Sequence, residues 1–560
     1  MAWRFEHALT TPPWLSLAPT ARRPKRDIVG KGQRRSRAIR LAAVAVALGA
    51  AAALAGASRA GPSGRHDVAT RTNATMVVTD KGTVRGTTRA GMLSFLGIPY
   101  AAAPVGNLRW RPPRPHAAWA RVRDATAFRN SCPQVASLLG LASTNEDCLF
   151  LNVFTPLVPP GGKGAPVMVW IHGGGLVAGA SNDYLPVGLV ARNVVVVTLN
   201  YRLGVLGFLA DPALTAESPG HASGNYGLLD QQSALRWVRG NIGRFGGDPH
   251  TVTLFGQSAG GVSVHAQLAS PTAHGLFQRA IAESGGYAGS QPSLPAAEAA
   301  GAAFAARVGC SATDAACLRK VPVATLLANQ PFFDATPVVD GKVLRRTMTS
   351  AFTSGRFNRV PVIEGSNRDE DRFFLATSSP GGWPVLSAAG YRAAIGATLE
   401  LAPATAATVA ARYPLRRYPA PDLALAAAVT DAAYACRAHA AAQALSRYVA
   451  TYQYEFDDES APRFFRGAPS RFALGAYHGA ELQYLFTLRG FPSLLTGAHE
   501  HLAQRMLDLW TTFARTGDPG FGWPRYLATT TETESLAPPR PLTETRFAAD
   551  HDCAFWSRVG

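Results

Sequence analysis

One serine, Ser258, lies in a sequence pattern that exposes a hydroxyl for nucleophilic attack. It belongs to the stretch FGGDPHTVTLFGQSAG at residues 245–260, in which the β-rich run 252–255 is followed by small residues around the serine. Gly256 and Gly260 permit the sharp strand-to-helix turn known as a nucleophile elbow. Ser258 is therefore predicted to be a nucleophile at the end of a strand, directly before a helix.

A serine nucleophile needs a base, and the base needs a carboxylate that orients it. The candidate base is His478 in ALGAYHGAELQYLF, where it is followed by an apolar run that can pack behind it. The candidate acid is Glu370, in the polar segment after the apolar run 360–363, which is predicted to be a buried strand. Asp369 and Asp371 flank Glu370 and are alternatives for the same role.

Four further blocks carry a resemblance to a known family. They are FLGIPYAAAPVGNLRWRPPRP at 95–115, EDCLFLNVFTP at 146–156, WIHGGGLVAG at 170–179 and NYGLLDQQSALRWVRGNIGRFGGDP at 225–249. With the serine turn, the chain resembles the type-B carboxylesterase and cholinesterase-like family of α/β-hydrolases from about residue 77 onward. The resemblance implies an α/β fold with a central, mostly parallel twisted sheet flanked by helices. It also implies a serine esterase with no metal and no organic cofactor.

Carried over position by position, the family's nucleophile falls on Ser258, its acid on Glu370 and its base on His478. Its oxyanion hole falls on Gly174, Gly175 and Ala259. Glycines leave backbone N–H groups free to face a developing oxyanion, and each such donor is typically worth about 3 kcal/mol.

Two positions depart from the family pattern. Gln257 stands where a glutamate commonly precedes the nucleophile, which removes a negative charge but keeps a hydrogen-bonding group of similar size. Asp371 stands where a glycine commonly follows the acid, and it places a second carboxylate beside Glu370.

The six cysteines allow 15 connectivities. Sequence spacing and the family resemblance favour three pairs, Cys132–Cys148, Cys310–Cys317 and Cys436–Cys553. The loop from Cys132 to Cys148 contains apolar residues but no aromatic residue that could stack on a quaternary ammonium group. Choline esters are therefore not the predicted substrates. The apolar residues of the loop favour neutral carboxylic esters with short to medium acyl or aryl groups, with acylglycerols as the alternative. A non-catalytic binding protein of the same fold is the remote alternative.

The N-terminus differs from the rest of the chain. Residues 22–40 are strongly basic and residues 41–58 are uncharged and rich in alanine, which is typical of a secretory signal, with a retained membrane anchor as the alternative. Residues 1–60 contain 11 Lys and Arg and 2 Asp and Glu. Their net charge of +9 is half of the formal net charge of +18. The remaining charge is scattered, so nucleic-acid binding is not predicted.

The predicted organisation is a basic region with a secretory signal at 1–60, a linker at 61–76 and one enlarged hydrolase domain at 77–560. Within that domain, residues 295–330 and 380–421 are alanine-rich and are predicted to be helical insertions that cap the site. The predicted location is extracellular.

Overall fold

A large mixed sheet carries the strands that lead to the predicted site residues. The structure is a computed structural model that describes residues 75–137, 140–158, 164–286, 291–377, 385–465 and 470–559. The predicted signal or anchor at 1–60 and nearly all of the linker at 61–76 lie outside the described residues.

The strands are numbered in chain order. They are β1 (Met76–Val78), β2 (Thr83–Arg85), β3 (Thr87–Arg89), β4 (Met92–Pro99), β5 (Arg123–Asp124), β6 (Phe150–Pro156), β7 (Ala165–Ile171), β8 (Tyr184–Leu185), β9 (Val195–Leu199), β10 (Gly247–Gln257), β11 (Arg279–Glu283), β12 (Val362–Asn367), β13 (Thr451–Phe456), β14 (Thr487–Leu488), β15 (Thr533–Leu536) and β16 (Leu542–Glu544). The large sheet has the order β16-β15-β13-β12-β11-β10-β7-β9-β6-β4-β3.

Its middle, from β9 across to β15, is parallel, whereas both edges are antiparallel. Strands buried on both faces read as nearly continuous apolar runs, as in the sequence APVMVWI of β7. Alternate β7 residues contact different cores. Val169 belongs to the core on one face, and Trp170 belongs to the core on the other.

Helices cover the sheet. They are α1 (Val187–Val190), α2 (Gly204–Phe208), α3 (Pro212–Glu217), α4 (Tyr226–Asn241), α5 (Ala259–Ala269), α6 (Leu294–Arg307), α7 (Ala315–Lys320), α8 (Val323–Asn329), α9 (Met348–Thr353), α10 (Glu370–Thr377), α11 (Tyr391–Thr398), α12 (Pro403–Arg412), α13 (Pro421–Val429), α14 (Cys436–Ser446), α15 (Leu482–Leu485), α16 (Ala498–Thr516), α17 (Phe547–Asp550) and α18 (Cys553–Val559). A π-helical segment, Thr430–Ala435, joins α13 to α14.

This architecture confirms the predicted α/β fold with a mostly parallel central sheet. Both alanine-rich stretches contain helices as predicted, α6 to α8 in the first and α11 and α12 in the second. The strand predicted at 360–363 begins later, at Val362, and continues through polar residues to Asn367.

Disulfides join Cys132 to Cys148, Cys310 to Cys317 and Cys436 to Cys553. Among the described residues, no single helix has the length and hydropathy of a membrane span. The pair Tyr391–Thr398 and Pro403–Arg417 meets those criteria only when taken together, and it is bent by 115°.

Candidate active site

Ser258 lies at the junction between β10 and α5, where the backbone makes an unusual turn. Its φ of 57° and ψ of −124° are a strained conformation for a residue with a side chain. The two neighbouring glycines make the turn possible, because a Cβ on Gly256 would lie 2.7 Å from the carbonyl oxygen of Ile171 and one on Gly260 would lie 2.0 Å from it. The elbow therefore packs directly on β7 and fixes the direction of the serine side chain.

The strain is held by backbone pairing and packing. The Ser258 amide donates to the Glu283 carbonyl at 2.8 Å, which ties the elbow to the end of β11. Ser258 remains 8% exposed, although the helix that follows it is buried. A strained residue held in place at a strand end is typical of functional sites.

The glycine turn after β7 faces the same elbow. A Cβ on Gly173 would lie 2.8 Å from the Gln257 carbonyl oxygen and 3.1 Å from the Ser258 Cβ, so this backbone approaches as closely as a glycine permits. Among the described residues, none accepts a hydrogen bond from the backbone N–H of Gly174, Gly175 or Ala259. The three predicted oxyanion-hole donors are therefore not engaged within the described part of the chain.

Glu370 and His478 form a buried pair. The Glu370 Oε2 lies 2.5 Å from His478 Nδ1, and its Oε1 accepts a hydrogen bond of 2.9 Å from the Asn367 amide. Glu370 opens α10 directly after β12, and His478 lies in the turn before α15. A carboxylate on Nδ1 holds the proton on that nitrogen and leaves the lone pair on Nε2.

The carboxylates on either side of Glu370 have other surroundings. Asp369 pairs with Arg372 at 2.7 Å and accepts the Ala476 amide at 3.1 Å. Neither carboxyl oxygen of Asp371 has a hydrogen-bond partner among the described residues. Burial, and then the charge of Glu370, raise the pKa of Asp371 to about 8. Of the three candidates, only Glu370 is hydrogen-bonded to His478 in the described residues.

The His478 Nε2 faces Gln257, whose Nε2 lies 3.3 Å away. Within the described residues the Ser258 hydroxyl makes no hydrogen bond, to His478 or to any other group. The fold thus brings the predicted acid and base together and places the serine at the elbow, while the serine-to-histidine hydrogen bond is not formed. Such bonds are often long or misaligned in enzymes without substrate.

Comparisons with known proteins identify the family of this chain. A family model described as the carboxylesterase family matches residues 73–556. The chain belongs to the carboxylesterase family. It is 37% identical to the fumonisin B1 esterase of Sphingopyxis macrogoltabida, over 80% of this chain and 84% of that protein. It is also 37% identical to the para-nitrobenzyl esterase of Bacillus subtilis (strain 168), over 82% and 94% of the two chains.

A rat relative, carboxylesterase 1C of Rattus norvegicus, is 36% identical over 77% of this chain and 83% of that protein. A solved structure of a PNB esterase superposes with a TM-score of 0.72 at 35% identity, covering 87% of this chain and 100% of that chain. This member of the carboxylesterase family is therefore a carboxylic ester hydrolase with an α/β-hydrolase fold.

Aromatic rings surround the imidazole of this carboxylesterase. The ring centroids of Phe374, Tyr434 and Phe373 lie 5.0, 5.5 and 6.1 Å from that of His478. Phe374 and Tyr434 also stack on each other at 6.2 Å. These rings restrict the orientation of His478 and exclude water around it.

Two residues that support the acid–base pair were not identified from the sequence. Asn367 binds Glu370 through its backbone amide, and its side chain donates to Glu481 at 2.5 Å. Burial, and then the charge of Glu370, raise the pKa of Glu481 to about 7. Both residues lie within three positions of a predicted site residue, and that proximity was the only available signal.

The glycine turn of this carboxylesterase is supported by the loop of the first disulfide. The Gln134 side chain accepts the Gly179 amide at 2.8 Å and donates to the Gly179 carbonyl at 2.9 Å. Burial lowers the pKa of His172, also in this turn, to about 4, so its ring is neutral at physiological pH. Across the described ranges, no cluster of three or more His, Cys, Asp or Glu side chains could hold a metal ion.

Proposed function

We propose that this enzyme is a serine carboxylesterase that forms an acyl-enzyme on Ser258. His478 is the general base and acid, Glu370 orients it, and the N–H groups of Gly174, Gly175 and Ala259 bind the oxyanion. The observation that carries the proposal is the 2.5 Å contact between Glu370 Oε2 and His478 Nδ1, because it leaves the Nε2 lone pair available for a serine proton.

The proposed reaction has two halves. His478 Nε2 first replaces its hydrogen bond from the Gln257 amide with one from the Ser258 hydroxyl. Ser258 Oγ then attacks the ester carbonyl while its proton passes to Nε2. The tetrahedral oxyanion collapses, and the alcohol leaves with the proton from Nε2. Water then loses a proton to the same nitrogen and attacks the acyl-enzyme, and the carboxylic acid is released as Ser258 regains its proton.

The proposed substrates are neutral carboxylic esters with short to medium acyl or aryl groups. Aromatic rings next to His478 favour an uncharged, apolar substrate group over a carboxylate or phosphate. The loop of the first disulfide adds exposed apolar residues, Val135 at 52% and Leu141 at 87% exposure. The para-nitrobenzyl esterase relative supports an aryl ester as a test substrate.

The experiment is hydrolysis of p-nitrophenyl esters from acetate to palmitate, together with a para-nitrobenzyl ester. Ser258→Ala is compared with Ser94→Ala, which removes another buried serine hydroxyl, on β4 and outside the site. We expect a maximum at short chains, loss of turnover in Ser258→Ala and normal turnover in Ser94→Ala. A lipase would be favoured if activity is highest on long-chain esters and increases once the ester concentration exceeds its solubility limit. Full activity of Ser258→Ala would refute the mechanism.

We further propose that the enzyme is secreted after cleavage of the apolar segment at 41–58, so that one hydrolase domain from about residue 77 remains. Three disulfides are consistent with an extracellular protein. Culture medium from cells that express the full chain is expected to contain protein whose N-terminus lies near Ser58 or Gly61. Recovery of activity only in the membrane fraction would favour the retained anchor.

A further inference from the structure

The π-helical segment Thr430–Ala435 contacts His478 and the residue that directly follows Glu370. From its C-terminal end, the Tyr434 ring lies 5.5 Å from the His478 ring and stacks on Phe374. At its start, the Thr430 hydroxyl accepts the backbone amide of Asp371 at 3.1 Å, one residue after Glu370. π-Helical turns are rare and are frequently found at functional sites. The position of this segment therefore affects the surroundings of both Glu370 and His478.

The same segment is held from behind by a buried histidine. Asp431 Oδ1 lies 2.5 Å from His551 Nδ1, and Glu455 Oε1 on β13 lies 2.6 Å from His551 Nε2. All three side chains are buried. His551 lies between α17 and α18, so one imidazole joins the π-helical segment, the central sheet and the C-terminal helices.

With Asp431 and Glu455 both ionised, each ring nitrogen must carry a proton to donate, which makes His551 an imidazolium. Burial lowers the pKa of His551, but Asp431 and Glu455 outweigh it and raise that pKa well above its usual range. Tyr413 donates its hydroxyl proton to the other Asp431 oxygen at 2.7 Å. Further titratable groups from neighbouring elements interact with members of this cluster, and they are His439, Glu544 and Asp552.

We infer that His551 is a positioning residue for ester hydrolysis. As a buried cation it fixes Asp431, and through Asp431 it fixes the π-helical segment that keeps the Tyr434 ring against His478. The inference rests on the proposed role of His478. Without the bridge, two carboxylates are left buried without their shared cation, so the segment shifts and His478 is no longer confined to the orientation that serves Ser258.

The test uses His551→Gln and its rescue. The new amide nitrogen takes the place of Nε2 and donates to Glu455, but its oxygen faces Asp431, which can donate to it only after the carboxyl takes up a proton, so the bridge loses its cation. Adding Asp431→Asn supplies an amide donor to that oxygen and restores both hydrogen bonds, with Glu455 as the one remaining carboxylate of the three groups. His439→Gln is the matched control, because it removes a buried histidine of the same region that packs on Tyr526 and Phe547.

Turnover of p-nitrophenyl acetate and thermal unfolding are measured for each variant. We expect kcat to fall about 10- to 100-fold in His551→Gln with KM nearly unchanged, because only the orientation of the base is affected. The double variant is expected to recover kcat to within about threefold, and His439→Gln to keep the wild-type kcat. A folded His551→Gln protein with wild-type kcat would overturn the inference, and so would failure of the double variant to recover.

If His551→Gln does not fold, the protonation state of His551 is measured instead, from the imidazole NMR signals of ¹⁵N-labelled wild-type enzyme at pH 8.5. The signal that disappears in the double variant is expected to show two protonated nitrogens, and a single protonated nitrogen would overturn the inference. His478→Ala is measured in parallel to separate the two proposals. If that variant keeps its activity, the proposed catalytic mechanism fails. If it is inactive while His551→Gln is normal, only the role of His551 fails.

Discussion

The side-chain amide of Gln257 lies 3.3 Å from His478 Nε2, the nitrogen that receives the serine proton in the proposed reaction. Since Nδ1 faces Glu370, the Nε2 lone pair accepts a hydrogen bond from the Gln257 amide. The residue directly before the proposed nucleophile therefore competes with it for the proposed base. It is also neutral at a position where a carboxylate would stabilise the imidazolium.

Replacing Gln257 with glutamate is expected to stabilise the protonated form of the neighbouring imidazole. A carboxylate at this distance favours the charged imidazole, so the acid limb of the kcat/KM profile should move to higher pH by about one unit. Profiles of Gln257→Glu and wild type with p-nitrophenyl acetate test this. Gln257→Met has a similar size but lacks both the charge and the amide donor, so it should move the limb by less than Gln257→Glu does. Identical profiles for Gln257→Glu and wild type would contradict the argument.

Amide substitution of three consecutive carboxylates tests which of them orients the base. Glu370→Gln should lower kcat about 10⁴-fold, because an amide that donates to Nδ1 stabilises the wrong tautomer. Asp371→Asn should keep kcat within a few-fold, since its oxygens make no hydrogen bond to the described residues. Asp369→Asn should act mainly on stability through the lost pair with Arg372. A larger loss in either aspartate variant than in Glu370→Gln would reassign the acid.

The sequence predicted what local chemistry determines. The elbow at Ser258 requires small neighbouring residues, because a side chain on Gly256 or Gly260 would collide with β7. The glycines in the sequence therefore predicted the turn. By contrast, the end of β12 was not predicted, because its residues Glu364 and Asn367 are polar although they are buried. Glu364 is accommodated by a 2.7 Å contact with His265 on α5, 99 residues earlier, and hydropathy patterns carry no information about such a partner.

The contact between Asp431 and His551 was also not predictable from sequence patterns. Asp431 and His551 are 120 residues apart in the chain, and neither lies in a motif that the sequence singled out. Their contact depends on how the C-terminal helices pack on β13 and on the π-helical segment. Tertiary packing sets that arrangement, so it emerged only from the structure.

Asp371 makes the stability of the enzyme depend on pH. Its pKa of about 8 in the fold exceeds the ordinary value of 3.8, so between these values the folded state holds a proton that the unfolded state has released. Its contribution therefore falls as pH rises from about 4 towards 8. Asp371→Asn keeps a neutral side chain of the same shape and removes this loss.

The melting temperature of Asp371→Asn relative to wild type should therefore be higher at pH 8 than at pH 5. Thermal unfolding at both pH values measures the difference. Asp369→Asn is the comparison, because burial raises the pKa of this neighbouring carboxyl only to about 6, so its pH dependence should end at lower pH than that of Asp371→Asn. An advantage for Asp371→Asn that is equal at both pH values would show that the carboxyl does not titrate in this window.

The disulfide between Cys436 and Cys553 should contribute more stability than the one between Cys310 and Cys317. The first joins residues 117 apart and the second joins residues 7 apart. In the chain-entropy model these loops correspond to about 5 and about 2 kcal/mol, because the longer loop removes more freedom from the unfolded chain. Urea unfolding of the two paired Cys→Ala variants measures both losses.

The longer cross-link also bears on the site, because Cys436 directly follows the π-helical segment and Cys553 lies two residues after His551. Its removal should therefore lower kcat as well as stability, whereas removal of Cys310 and Cys317 should leave kcat unchanged. Both variants are assayed well below their melting temperatures, so that unfolding does not account for lost turnover. Equal losses of stability would refute the loop-length argument. Unchanged kcat in the Cys436→Ala/Cys553→Ala variant would show that His551 and Asp431 hold the segment without the cross-link.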